Sequence, residues 1–163
     1  MNTPLTVLTV TCDGRMLILY RYINNEVRLF KYKMLTDVVL KMASNSQTNE
    51  IGVCQTSKVS VFDINLNVKY SIDFKSVISN FNPIIANVVY VGEDLYALSG
   101  SSIFRINGSK SNTINVPYGK VLYIKGHKRH LIVAEDKKMY VVDVRSGKIA
   151  LMFKVKSDGL LFY

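Results

Sequence analysis

Met139-Tyr140-Val141-Val142-Asp143-Val144-Arg145-Ser146-Gly147-Lys148 holds an apolar run, an aspartate, one further aliphatic residue and a polar turn. The β-branched and aromatic residues of the run favour a strand, and Ser146-Gly147 can supply the positive φ that a tight turn demands. Ile149 to Val155 then reads as the returning strand. The same frame occurs at Val59-Ser60-Val61-Phe62-Asp63-Ile64-Asn65, followed by Lys69 to Phe74. Weaker copies are Ser102-Ile103-Phe104-Arg105-Ile106-Asn107-Gly108 and Val27-Arg28-Leu29-Phe30-Lys31-Tyr32-Lys33. Aligned on Phe30, Phe62, Phe104 and Val142, the copies lie 32, 42 and 38 residues apart. This brackets the period of roughly 40 residues that belongs to four-stranded repeat units.

A further strand precedes each copy, respectively Met16 to Ile23, Ile51 to Gln55, Asp94 to Leu98 and His130 to Glu135, and Leu5 to Cys12 is an outer candidate for the first unit. Asp13-Gly14, Asn24-Asn25, Gly100-Ser101 and Ser146-Gly147 each separate two apolar runs, as hairpin turns do. The chain is therefore expected to be one all-β domain of about four antiparallel meander units, at 5–42, 43–81, 84–117 and 120–155, with a terminal strand at 159–163. A β-sandwich or barrel built from the same meanders is the alternative. Phe74, Val77, Ile78 and Phe81 fall at helical spacing, with Asp73 to cap and Pro83 to stop, so a short helix is predicted there. Asp37-Val38-Val39-Leu40 is read as strand.

The segment Val141 to Lys148 resembles the third strand and turn of WD-repeat β-propellers, and Val61-Phe62-Asp63 resembles it more faintly. The chain has no Trp, so the family's Trp-Asp pair is absent, and its Gly-His pair occurs only as Gly126-His127. Lys31 and Arg105 stand where the first and third copies would carry the aspartate. The resemblance implies a ring or partial ring of blades used for protein contacts. Four blades are few for a closed ring, since propellers have four to eight. Either the ring is small or another chain supplies more blades.

Composition narrows the function. At 163 residues, 48% hydrophobic and 20% charged, the chain can bury a core. Its apolar runs are far too short for a membrane helix. Met1-Asn2-Thr3-Pro4 carries no leader pattern, so cytoplasm or nucleus is expected. Cys12 and Cys54 sit in apolar strands and read as buried thiols rather than a disulfide. His127 and His130 share one turn, far from either cysteine, which leaves too few ligands for zinc. Nucleophile-elbow, phosphate-loop and metalloprotease motifs are lacking. Asp63 and Asp143, at equivalent repeat positions, suit turn stabilisation better than paired acid–base chemistry. No enzyme, metal, cofactor or small-molecule substrate is expected.

Two surfaces remain as candidates. Residues 120–163 hold ten Lys or Arg against four Asp or Glu. Their hairpin tips, Lys125, His127, Lys128 and Arg129 with Lys137 and Lys138, form a basic patch interleaved with Tyr118, Tyr123 and Tyr140. The patch suits an acidic protein or nucleic acid, with phosphates on the cations and bases stacked on the tyrosines. If the two tips lie at opposite ends of one unit, the patch is split. The strand Leu160-Leu161-Phe162-Tyr163 wants a pairing partner, either the N-terminal unit or a neighbouring molecule's open edge. The leading expectation is a non-catalytic interaction scaffold within a larger assembly, with a protein partner or self-association. The alternative is a nucleic-acid-binding accessory protein.

Overall fold

The computed structural model describes residues 5–10, 13–77, 85–108, 110–114 and 120–154. Fifteen strands and one helical turn form four antiparallel sheets. The first holds β1 (Leu5–Val10), β2 (Met16–Ile23) and β3 (Glu26–Met34). The second holds β4 (Lys41–Asn45), β5 (Glu50–Cys54), β6 (Lys58–Asp63) and β7 (Val68–Asp73). β8 (Ile85–Val91), β9 (Asp94–Ser99), β10 (Ser102–Asn107) and β11 (Lys110–Ile114) make the third. β12 (Val121–His127), β13 (His130–Glu135), β14 (Lys138–Asp143) and β15 (Lys148–Lys154) make the fourth. Every sheet is a meander in chain order. The turns fall where the sequence places them, with positive φ at Gly14, Asn24, Asn25, Gly100 and Gly147.

Sheets stack face to face. Leu17 and Leu19 pack on Ile51, Val53 and Phe62 between the first and second sheets. Val59, Val61 and Phe74 meet Val88, Leu95 and Phe104 between the second and third. Tyr96, Leu98 and Ile103 meet Leu131, Val133, Tyr140 and Val142 between the third and fourth. Alternation along each strand sends successive side chains to opposite cores. The middle strands are therefore apolar on both faces, and β5 is buried along its whole length. Consecutive sheets approach most closely through β4 and β8 and through β8 and β12. These first strands form the inner edge. The last strands lie outside, and all of β15 is exposed.

The inner strands are also tied by polar contacts. The Asn87 side-chain amide donates to the Ile124 carbonyl at 2.9 Å, and that of Asn45 donates to the Gly92 carbonyl at 2.7 Å. Gly126 has no room for a side chain, because a Cβ there would lie 2.0 Å from the Tyr90 carbonyl oxygen.

The phase of the repeat differs from the expectation in two places. In the second and fourth sheets the third and fourth strands slip register at Val61/Phe62 and at Val141/Val142. The first sheet shows the same slip at Leu19/Tyr20, between β2 and β3. β2 is thus the third-position strand, and β3, containing Val27 to Lys33, is the outer strand rather than a copy of β6. β1 lies on the inner side of β2, not outside it. In the third sheet β10 ends on Asn107, as β6 and β14 end on Asp63 and Asp143. Asn107, not Arg105, therefore occupies the aspartate's place. The corrected markers Tyr20, Phe62, Ile106 and Val142 recur after 42, 44 and 36 residues. The difference has two causes: β3 carries a third-strand composition on an exposed edge, and Phe104 and Ile106 of β10 face the same core.

The predicted helix is one turn, Phe74–Val77, with the Asp73 carboxylate accepting from the Lys75 N–H at 3.0 Å. Ile78, Phe81 and Pro83 lie outside the described residues. Asp37 to Leu40 is a connecting segment and not a strand. Backbone groups in and beside it bond to the β1–β2 connection: the Val39 and Leu35 N–H groups donate to the Gly14 and Arg15 carbonyls, each at 2.8 Å. No helix is long and apolar enough to cross a membrane among the described residues.

Candidate interaction surfaces

The two repeat aspartates organise turns. Asp63 accepts from the Asn65 and Asn67 N–H groups at 2.8 and 2.9 Å, and from the Asn67 side-chain amide at 2.9 Å. Asp143 accepts from the Arg145 and Ser146 N–H groups at 3.0 and 2.9 Å, and from the Ser146 hydroxyl at 3.1 Å. These bonds hold both carboxyls below their ordinary range, led by the Asn67 N–H for Asp63 and the Ser146 N–H for Asp143. Among the described residues, no three His, Cys, Asp or Glu side chains group as metal ligands.

Cys54 is a free thiol packed between the second and third sheets, and it donates to the Ile85 carbonyl at 3.1 Å. Burial pushes it up to about 12, so the reactive thiolate is suppressed. In a Cys12→Ser background the native protein should stay unlabelled by iodoacetamide at neutral pH and react fully in denaturant. Rapid native labelling would contradict the packing of β5 against β8.

The basic residues divide between two ends of the fourth sheet. His127, Lys128 and Arg129 form the β12–β13 tip, with Lys128 at φ 52°. Arg129 Nε lies 3.7 Å from Asp143 Oδ2, and His130 Nε2 lies 3.9 Å from the same oxygen. Lys137 and Lys138 sit at the β13–β14 turn, on the other side of the six-residue strand β13, about 20 Å away at strand rise. Lys125 is on neither tip; it stands on β12, opposite Ile132. Tyr140 is buried in the core, which removes it as a stacking platform. The structure adds neighbours that sequence spacing did not suggest. A cleft of about 490 Å³ between the third and fourth sheets brings Lys128 and Arg129 to Arg145 and Arg105, with Glu93 and Asp94 in the same wall. Arg105 is engaged by Asp94 at 2.7 Å. Leu160, Leu161, Phe162 and Tyr163 lie outside the described residues.

The larger surface is apolar and lies on the two end sheets. On β2, Leu17 and Leu19 face the second sheet, so Met16, Ile18, Tyr20 and Tyr22 face away from it. Register places Met34, Tyr32, Leu29 and Val27 of β3 beside them. Tyr20 corresponds to Phe62, Ile106 and Val142, each buried against the preceding sheet, whereas Val27 and Tyr32 are 67% and 61% exposed. The fourth sheet mirrors this. Tyr140 and Val142 face the third sheet, while Val141, with Ile132 and Leu151 beside it, faces away. Leu151 and Phe153 are 56% and 45% exposed. A second cleft of about 490 Å³ opens on the inner side of the first sheet, lined by Thr6 of β1, Leu19, and Met42 to Asn45 of β4.

No family model and no curated protein matches the sequence. Among solved structures the chain is similar to the WD40 repeats of RRP9, with a TM-score of 0.69 and 14% identity over 91% of this chain and 47% of that one. It is also similar to the dihydro-heme d1 dehydrogenase NirN in complex with DHE, with a TM-score of 0.68 and 12% identity over 94% of this chain and 37% of that one. The four sheets are degenerate WD-repeat-like propeller blades. They span less than half the length of either neighbour. One neighbour is a set of WD40 repeats and the other a dehydrogenase, so the likeness identifies architecture.

Proposed function

We propose that this chain is a non-catalytic interaction scaffold, a subunit that joins a larger assembly through the uncovered apolar faces of its end blades. The observation that carries the reading is the contrast at equivalent positions: Phe62, Ile106 and Val142 are buried against a preceding blade, while the matching face around Tyr20, Leu29 and Tyr32 is open. An apolar blade face that no described residue covers has the character of an association surface. Support also comes from the four-bladed arc, which ends in such faces on both sides.

The nucleic-acid reading draws on the basic tips, which are divided by the length of β13, and the tip at Lys128 and Arg129 shares its cleft with Glu93 and Asp94. Affinity purification of the tagged full chain from its own cells separates the two readings. Recovery is compared at moderate salt and at about 1 M, where the Debye length falls to about 3 Å. The scaffold reading expects protein partners that survive salt and are lost from Leu29→Glu/Tyr32→Glu. Recovery of nucleic acid that disappears in salt, with no protein dependent on Leu29 and Tyr32, would overturn it.

Lys128→Glu/Arg129→Glu addresses the tip itself. Both residues are exposed, and a surface ion pair such as Arg129–Asp143 contributes about 0–1 kcal/mol. The variant should keep its melting curve within that range while losing retention on an immobilised polyanion. Unchanged retention removes the tip as a docking element.

A further inference from the structure

The geometry points to an anion-binding cleft between the third and fourth blades that docks a phosphorylated side chain on a partner's peptide. This site goes beyond the scaffold reading above and uses neither end face.

Alternate turns of an antiparallel meander emerge at the same end of its sheet, so the β12–β13 tip and the β14–β15 turn lie together. Asp143 ties them to each other. Its Oδ1 accepts from the Arg145 and Ser146 N–H groups, while its Oδ2 faces Arg129 and His130. The Val144 N–H adds a bond to the Arg129 carbonyl at 3.2 Å. Lys128, Arg129 and Arg145 are thus carried on two braced turns, and all three side chains are exposed. Donors set in place before binding lose less freedom when a ligand arrives.

These turns form one side of the cleft of about 490 Å³, a size that suits a small ligand group. Val91 and Val144 give it an apolar lining, and Arg105 enters from the third blade. Arg105 is committed to Asp94, and Arg129 is faced loosely by Asp143 at 3.7 Å. Lys128 and Arg145 have no carboxylate within ion-pair distance among the described residues. Two uncommitted cations and most of the Arg129 donors are therefore gathered in one place.

The distribution of charge selects the anion. Four cations and two carboxylates line this cleft, with Asp143 drawn off into its turn. The equivalent cleft between the second and third blades is lined by Glu50, Glu93 and Asp94, with no Lys or Arg. A nucleic-acid strand or a polyacidic tail crossing the blade ends would leave the cations within one blade and meet those carboxylates. One concentrated charge would not. A phosphorylated side chain carries about −1.5 to −2 at pH 7 and three strong acceptor oxygens. Guanidinium forks match such oxygens in pairs.

The test passes the purified full chain over immobilised degenerate peptides centred on phosphoserine or phosphothreonine, the same peptides unphosphorylated, and a single-stranded DNA oligonucleotide. Retention on the phosphorylated set alone is expected, with release by free phenyl phosphate. Lys128→Gln/Arg145→Gln should weaken it by about tenfold or more, through loss of two charge-assisted contacts. Lys137→Gln/Lys138→Gln removes the same charge at the far end of β13 and should leave retention unchanged. Equal retention of the unphosphorylated set, or no retention on any peptide, would overturn the proposal. Stronger retention on DNA, weakened equally by both double variants, would also overturn it, in favour of a diffuse polyanion surface. If Lys128→Gln/Arg145→Gln misfolds, the comparison of peptide sets on the unmodified chain still decides. Leu29→Glu/Tyr32→Glu should keep its phosphopeptide retention, so failure of the cleft and failure of the end-face reading are seen separately.

Discussion

Gly126→Ala should be among the most destabilising single substitutions in this chain, lowering stability by about 3 kcal/mol or more in urea unfolding. The cause is a backbone approach. β12 passes β8 so closely that an added Cβ would sit 2.0 Å from the Tyr90 carbonyl oxygen and 3.1 Å from a Val91 methyl. A carbonyl within a strand cannot swing aside as a side-chain tip can, so the inner strands of the third and fourth blades must separate. Separation would also strain the nearby Asn87–Ile124 hydrogen bond, which spans the same seam at 2.9 Å. Two control substitutions isolate the mechanism. Gly52→Ala would place its Cβ 2.9 Å from a terminal methyl of Leu95, which can adjust, and should cost far less. Gly147→Ala meets no atom within 4 Å but has φ +67°, so its cost should be only the left-handed strain of about 1–2 kcal/mol. If Gly126→Ala is no worse than Gly52→Ala, the close approach of β12 to Tyr90 is wrong.

Gly126 also shows what the sequence could and could not convey. Its pairing with His127 was visible as a family-like dipeptide, but nothing local distinguished a turn glycine from one that lets two inner strands touch. Strands and hairpin turns were legible because they depend on neighbours in sequence. Asn24, Asn25 and Gly147 adopt the positive φ that their turns require, and Asp63 and Asp143 hold the bonds expected of them. Phase was harder to read. Val27 to Lys33 alternates like a core strand, and only its register against β2, slipped as in the second and fourth blades, identifies it as an outer strand. The division of the basic residues between two ends has a related cause. His127 and Lys137 are close in sequence, yet antiparallel pairing sends consecutive turns to opposite ends of a sheet. Conversely, Arg105 and Arg145 are distant in sequence and share a cleft with Lys128 because adjacent blades place equivalent loops side by side.

The same geometry makes the two faces of the first blade energetically unequal, and a pair of leucine truncations should expose this. Leu19 is fully buried against Ile51, Val53 and Phe62, so Leu19→Ala removes burial and leaves a cavity. A loss of about 2–5 kcal/mol is expected at every protein concentration. Leu29 stands across the slipped register beside Tyr20, on the opposite face, and is 58% exposed within a single chain. Leu29→Ala should therefore change the stability of an isolated chain by no more than about 0.5 kcal/mol. If a partner covers this face, the same side chain is buried by it, and its truncation should lower the melting temperature in a way that depends on concentration, because association stabilises the folded state by mass action. Melting curves across a hundredfold dilution series separate these effects. Leu19→Ala should shift every curve by a similar amount, and Leu29→Ala should shift the concentrated samples and merge with the unmodified protein on dilution. A Leu29→Ala effect as large as that of Leu19→Ala and independent of concentration would mean that the outer face of the first blade is already covered within one chain, leaving no open end for a partner to occupy.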